Sequence, residues 1–281
     1  MSTETLEMLL EGVESGTIIP YLGPGALIGS LDQEGRRAPV TQEELILELN
    51  HGQSMSPKLM YEFPRAAMNL ELKHGRSYLQ RFFSKLYTER QWSRSPVHEW
   101  IAAIKPAYVI DINRDTMLQD SYAAVPHTLI CGISRLGGTD FRFKLFHYNG
   151  NEYHEIGQDE VNEDLPVLFK PMGTPKPEPH YIASDADYVD YISELMGGFG
   201  IPSFVKRYRA SRRYLFLGLS LTRDTERMIM SDITYGSANP RGWALIPEPT
   251  EKERRFCARV NIEIIEADIE DLLKVATANQ A

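Results

Sequence analysis

A series of short apolar runs limits what this chain can fold into. Ile18-Ile19-Pro20-Tyr21-Leu22, Tyr108-Val109-Ile110-Asp111-Ile112, Leu165 to Phe169, Tyr214 to Leu217, Trp243 to Ile246 and Ile262 to Ile265 are each too short for a buried helix. The stretches between them carry apolar residues at helical spacing. Short apolar strands alternating with amphipathic helices predict an α/β fold whose sheet is mostly parallel, with helices on both faces. Ligands of such sheets bind at the carboxyl ends of the strands. Several runs close there on Gly23, Asn113 or Gly218, residues that suit a tight turn beside a site.

Leu6, Leu9, Leu10 and Val13 predict a first helix stopped by Gly16, and Thr41-Gln42-Glu43-Glu44 has the pattern of a capping box opening another. Tyr78, Leu79, Phe82, Phe83 and Leu86 fit one or two further amphipathic helices, whose aromatic stripe reads as core. Pro96 sits in the first turn of the next. Residues 41–95 therefore read as a helical insertion, and residues 126–164, with the run Arg142 to Gly150, as a small antiparallel β excursion. Four prolines between Pro171 and Pro179 mark a loop. A chain of 281 residues accommodates these parts as a single domain with an inserted subdomain.

The formal net charge of −9 argues against a general nucleic-acid or acidic-membrane binder, which gains affinity by neutralising phosphates. The basic group Lys206, Arg207, Arg209, Arg212 and Arg213 reads as a solvated helix face. Cys131 and Cys257, 126 residues apart, build neither a zinc tetrad nor a disulfide framework, and no metal site is expected. The acidic start and the lack of a run near the ~20 apolar residues of a membrane span predict no membrane association and a cytoplasmic location.

Gly23-Pro24-Gly25 follows the first strand, where residues without Cβ let a backbone approach a phosphate. Gly29 comes one residue late for a dinucleotide fingerprint, and Pro24 has no amide to offer, so the turn by itself reads as an ordinary tight turn more readily than as a phosphate cradle. Asp111 and Asp115 flank Asn113, where carboxylates serve either acid-base work or turn capping. His98 reads as a partly buried structural histidine; His127, His147, His154 and His180 are dispersed.

The ordered series Gly23-Pro24-Gly25, Asn113-Arg114-Asp115, Lys170-Pro171-Met172-Gly173 and Gly218-Leu219-Ser220-Leu221 resembles the sirtuin-like family of NAD-binding domains, named after the silent information regulators. The resemblance spans about residues 14–275. It implies a Rossmann-like, doubly wound fold that binds NAD, with Gly23, Pro24, Gly25 and Ala26 beside the diphosphate. Asn113 would lie near the nicotinamide ribose, Gly218, Leu219 and Ser220 near the adenosine half, and Gly173 would also bind the cofactor. Active family members break the bond between ribose and nicotinamide, which makes Asn113 and Asp115 the catalytic candidates.

The departures from the family pattern fall on the chemistry. Met172 stands where the family has its catalytic His, and a thioether is no base at neutral pH. Leu27 replaces the Ser after the glycine turn, Ile112 the Thr before Asn113, and Asp224 comes one residue late. Two readings follow. One is an NAD or ADP-ribose-like nucleotide binder with impaired NAD-cleaving chemistry, using its pocket for regulation or for contact with a protein partner or a second copy in a homo-oligomer. The other is an active NAD glycohydrolase, as in bacterial defence effectors. A deacylase ranks third, because those enzymes commonly carry four zinc-binding cysteines and this chain has two.

Overall fold

The computed structural model describes residues 3–278. Helix α1 (Thr3–Glu14) ends before Gly16 and leads into β1 (Ile18–Leu22), which runs straight into a 3-10 turn, Pro24–Leu27. Helices α2 (Gln42–Leu49), α3 (Pro57–Met60), α4 (Phe63–His74) and α5 (Arg76–Ser84) follow, the last continued by a π turn, Lys85–Glu89. Then come α6 (Pro96–Ile104), β2 (Tyr108–Asp111), α7 (Met117–Ser121), β3 (His127–Gly132), β4 (Phe143–Tyr148) and β5 (Tyr153–Ile156). The chain returns through β6 (Val167–Lys170) and the small hairpin β7 (Gly173–Thr174) and β8 (His180–Tyr181) to α8 (Asp185–Gly197) and α9 (Ser203–Arg209). It closes with β9 (Arg213–Leu217), α10 (Asp224–Ile233), β10 (Gly242–Leu245), α11 (Glu251–Arg259), β11 (Ile262–Ile265) and α12 (Ile269–Ala278).

Nine strands form one sheet in the order β11-β10-β9-β1-β2-β6-β3-β4-β5. From β11 to β3 every pairing is parallel, and only β4 and β5 run against their neighbours. The sheet is mostly parallel, as the alternating runs predict, and Rossmann-like and doubly wound, as the family resemblance implies. Its side chains alternate faces with the period of two that strands impose. Ile19, Tyr21, Ile110, Phe169, Tyr214 and Phe216 meet α8, α9 and α10 on one side. Ile18, Leu22, Val109, Leu168, Leu215 and Leu217 meet α1, α6 and α12 on the other. With both faces covered, β1 buries all five of its residues, each large apolar side chain contributing roughly 1.5–3 kcal/mol.

Residues 126–164 do not form a separate small sheet. His127–Gly132, which the sequence reading placed in the excursion, is an integral parallel strand beside β6, and β4 and β5 extend the same sheet. Strand order in space does not follow order in sequence here: the chain passes over the β6 position to lay down β3 and fills the gap later. The helices between residues 42 and 84 pack around a core of their own, with Ile46, Leu49, Phe63, Leu70, Phe83 and Leu86, and rest on Tyr181 and Ala183. The Thr41 hydroxyl accepts from the Glu44 amide while Glu44 accepts from the Thr41 amide, the reciprocal cap that starts α2.

The chain direction reverses across the middle of the sheet. From β1 it moves towards β2, and later returns to the other flank of β1 at β9. The carboxyl ends of β1, β9 and β2 thereby meet at the switch point where such sheets hold ligands. Among the described residues no helix is long and apolar enough to cross a membrane. Both cysteines are free and buried.

Candidate functional site

The glycines after β1 and β9 pack against each other. The Gly23 amide donates to Leu217 O at 2.8 Å, the Gly25 amide to Gly218 O at 2.9 Å and the Ala26 amide to Gly23 O at 3.0 Å. A Cβ on Gly25 would stand 2.8 Å from Gly218 Cα, so the missing side chain makes room for backbone. Gly218 has φ +69° and faces the Ala26 amide nitrogen, where a Cβ would collide with the main chain. Leu219 is buried beside Gly23, Ser220 is exposed with its hydroxyl on Thr222, and Gly173 lies in the tight pairing of β7 with β8.

Asn113, at the end of β2, belongs to a buried polar network. Its Nδ2 donates to Gly23 O at 3.0 Å and to Asp111 Oδ1 at 2.8 Å, and its amide donates to the same Asp111 oxygen at 2.9 Å. The other Asp111 oxygen accepts from Lys170 Nζ at 2.7 Å, with both side chains fully buried. Burial by itself would raise the Asp111 carboxyl; the Lys170 ammonium and His98 outweigh it and hold it below the usual carboxylate range.

His98 is more deeply buried than the sequence suggested, with no exposure at all. The Ser95 hydroxyl donates to Ala26 O at 2.6 Å, so the 2.8 Å contact between Ser95 and His98 is donated by Nδ1. That leaves Nε2 facing Asp111 Oδ2 at 3.8 Å without a hydrogen-bond partner. His98, Asp111 and Asp115 bring their ligand atoms within 4.8 Å of one another, but the Lys170 ammonium already supplies the positive charge at Asp111.

Asn113 faces a cavity of about 40 Å³ that also meets Pro24, Arg114, Met172, Tyr188 and Glu226. Met172 is buried. Arg114, which lines it, is buried: its guanidinium lies 5.4 Å from the ring centres of Phe63 and of Phe83, and Nε donates to Ile182 O at 2.9 Å. Glu226 takes a hydrogen bond from Gln42 Nε2 at 2.6 Å on one oxygen and has no partner on the other. Burial pushes its carboxyl up to about 7, against the pull of Gln42 and Arg223. Gln42 in turn accepts from the Phe63 amide at 2.9 Å, tying α2, α4 and α10 together over the cavity.

Asp115 does not share this space. It faces a neighbouring cavity of about 260 Å³ with Tyr87, Trp92 and Lys176. One oxygen caps α7 through the Met117 amide at 2.7 Å and the other has no partner. The structure thus brings Pro24, Asn113 and Met172 together and separates Asp115 from them. His127, His147 and His154 lie at the far end of the sheet, beside the start of β3, and His180 is turned to Glu178 at 3.2 Å. None of these lines the Asn113 cavity.

Lys170 and Arg114 stand in the sequence only as members of the motif series with no role of their own, and Glu226 is not singled out there. Glu226 carried a signal, because it falls at helical spacing with Ile229, Met230 and Ile233, a carboxylate on an otherwise apolar stripe.

Residues 108–265, more than half of the chain and all of the sheet except β1, match the SIR2-like domain family. The chain belongs to that family. The match leaves the Gly23 turn and the helices between residues 42 and 84 outside it. No curated protein gives a significant match. SIR2-like membership ties the chain to NAD-related function. The amides of Gly23, Gly25 and Ala26 are engaged with neighbouring backbone, and the cavity of about 40 Å³ at Asn113 is smaller than a dinucleotide.

Proposed function

We propose that this SIR2-like protein binds NAD or an ADP-ribose-like nucleotide at the carboxyl ends of β1, β2 and β9, and that its NAD-cleaving chemistry is impaired. It would then act as a regulatory or accessory subunit. The observation that carries the reading is Met172, buried against the Asn113 cavity at the position of the expected catalytic His. A positioned general base is worth ~10²–10⁴ in rate, and a thioether cannot supply it. Asn113 is also held on two acceptors, Gly23 O and Asp111, which fixes its amide without any ligand. Binding requires the contacts of Gln42 and Arg114 over the cavity to part.

Calorimetric titration with NAD and ADP-ribose, with nicotinamide release followed on the same sample, tests this. The expected result is binding that Asn113→Ala weakens, no sustained release, and partial recovery of release in Met172→His. Absence of binding to either nucleotide at millimolar concentration would remove the reading.

One observation favours the second reading, an active NAD glycohydrolase. The Glu226 carboxyl lies in the same cavity as Asn113 with an ionisation near neutrality, the range a general base needs. Sustained release by the wild type that Glu226→Gln abolishes, with Met172 substitutions having little effect, would establish it.

A further inference from the structure

A larger cavity, about 570 Å³, opens on the other face of α2, between that helix and α5. Its wall on α5 and the π turn is Tyr78, Arg81, Phe82 and Lys85, which the helical repeat sets on one face. Arg37 lines it as well. Two half-buried aromatic rings and three cations therefore line one space of ligand size.

The acids that share this cavity are already engaged. Glu48 is paired with Arg90 at 3.0 Å, and Glu44 accepts the Val40 and Thr41 amides in the cap of α2. Arg37, Arg81 and Lys85 have no carboxylate partner among the described residues. Like charges four apart on a helix repel, so the Arg81 and Lys85 pair is unfavourable until an anion lies between them.

We propose that this cavity is a second ligand site, distinct from the strand ends, and that it takes a nucleoside phosphate. Arg37, Arg81 and Lys85 hold the phosphates, the two Arg as planar forks and Lys as a point charge. Tyr78 and Phe82 give the base an aromatic wall. The site lies outside residues 108–265, which match the SIR2-like family. It does not depend on the strand-end reading.

The test is calorimetry with ADP, adenosine and inorganic phosphate on the full chain. ADP should bind more tightly than either fragment, with affinity falling as salt rises. The double variant Arg81→Glu, Lys85→Glu should lose about tenfold or more, one removed charge-assisted contact being worth about that factor. Should its melting curve show that it does not fold, Arg81→Gln and Lys85→Gln singly are each expected to weaken ADP about threefold. No ADP binding at millimolar concentration, inorganic phosphate binding as tightly as ADP, or ADP binding lost in Asn113→Ala but retained in the charge-altered variants would each overturn the assignment.

Discussion

At the strand ends, Asp111 has Lys170 and Asn113 as partners, the turn amides are bonded to neighbouring backbone, and about 40 Å³ is left open. Between α2 and α5, Arg37, Arg81 and Lys85 have no carboxylate partners, and about 570 Å³ is open. The two regions share α2 as a common wall and treat charge in opposite ways. The buried Asp111 charge in the first is neutralised by Lys170, so removing that partner exposes a large penalty. Charge in the second is solvated and awaits a counter-charge, so removing it disturbs the fold little and binding much.

The largest break in that comparison is Lys170→Met. It leaves the Asp111 carboxylate buried without its cation, and a buried pair broken on one side costs about 3–5 kcal/mol. Urea unfolding should show a loss of that order. The pair also sets an acid limit. With the folded Asp111 carboxyl held below its unfolded value, its contribution is present above the unfolded value and is lost as pH falls through the folded one.

Glu226 gives the opposite slope. Its folded ionisation near 7 lies above the unfolded value, so the contribution is full at low pH and disappears as pH rises through about 7. Stability should fall by about 2–3 kcal/mol between mildly acidic and mildly alkaline pH, since a tenfold change in proton affinity corresponds to about 1.4 kcal/mol. In Glu226→Gln this part of the dependence should vanish in melting curves taken across the same range.

Gly218→Ala comes next. A Cβ at φ +69° against the Ala26 amide nitrogen strains both turns, at about 1–3 kcal/mol in denaturant unfolding. Arg81→Gln, on the open cavity, should change stability by no more than about 0.5 kcal/mol, with relief of the repulsion from Lys85 partly offsetting lost packing. If it costs as much as Lys170→Met, the contrast between the two regions is wrong.

Most of the sheet could be read in advance because β1, β2, β6, β9 and β10 are largely buried on both faces and are therefore near-continuous apolar runs. Strand β3 was misplaced because its spatial neighbour, β6, comes later in the chain than the β4 and β5 hairpin. Within the site, Asn113 and Met172 could be found because each lies in a short local pattern next to a strand end. The Asp111 and Lys170 pair could not, since its members are 59 residues apart and only parallel pairing of β2 with β6 joins them. Asp115 looked equivalent to Asn113 two residues earlier, yet the bend after β2 turns it into another cavity.

In the reading proposed above, the strand ends recognise an NAD-like nucleotide and do not cleave it. The most direct measurement is a nicotinamide-release assay run on the wild type at NAD concentrations where calorimetry shows the site to be filled. The expected result is heat of binding, loss of that heat in Asn113→Ala, and no sustained release. Sustained release at saturating NAD, unchanged in Met172→His and abolished in Glu226→Gln, would contradict it.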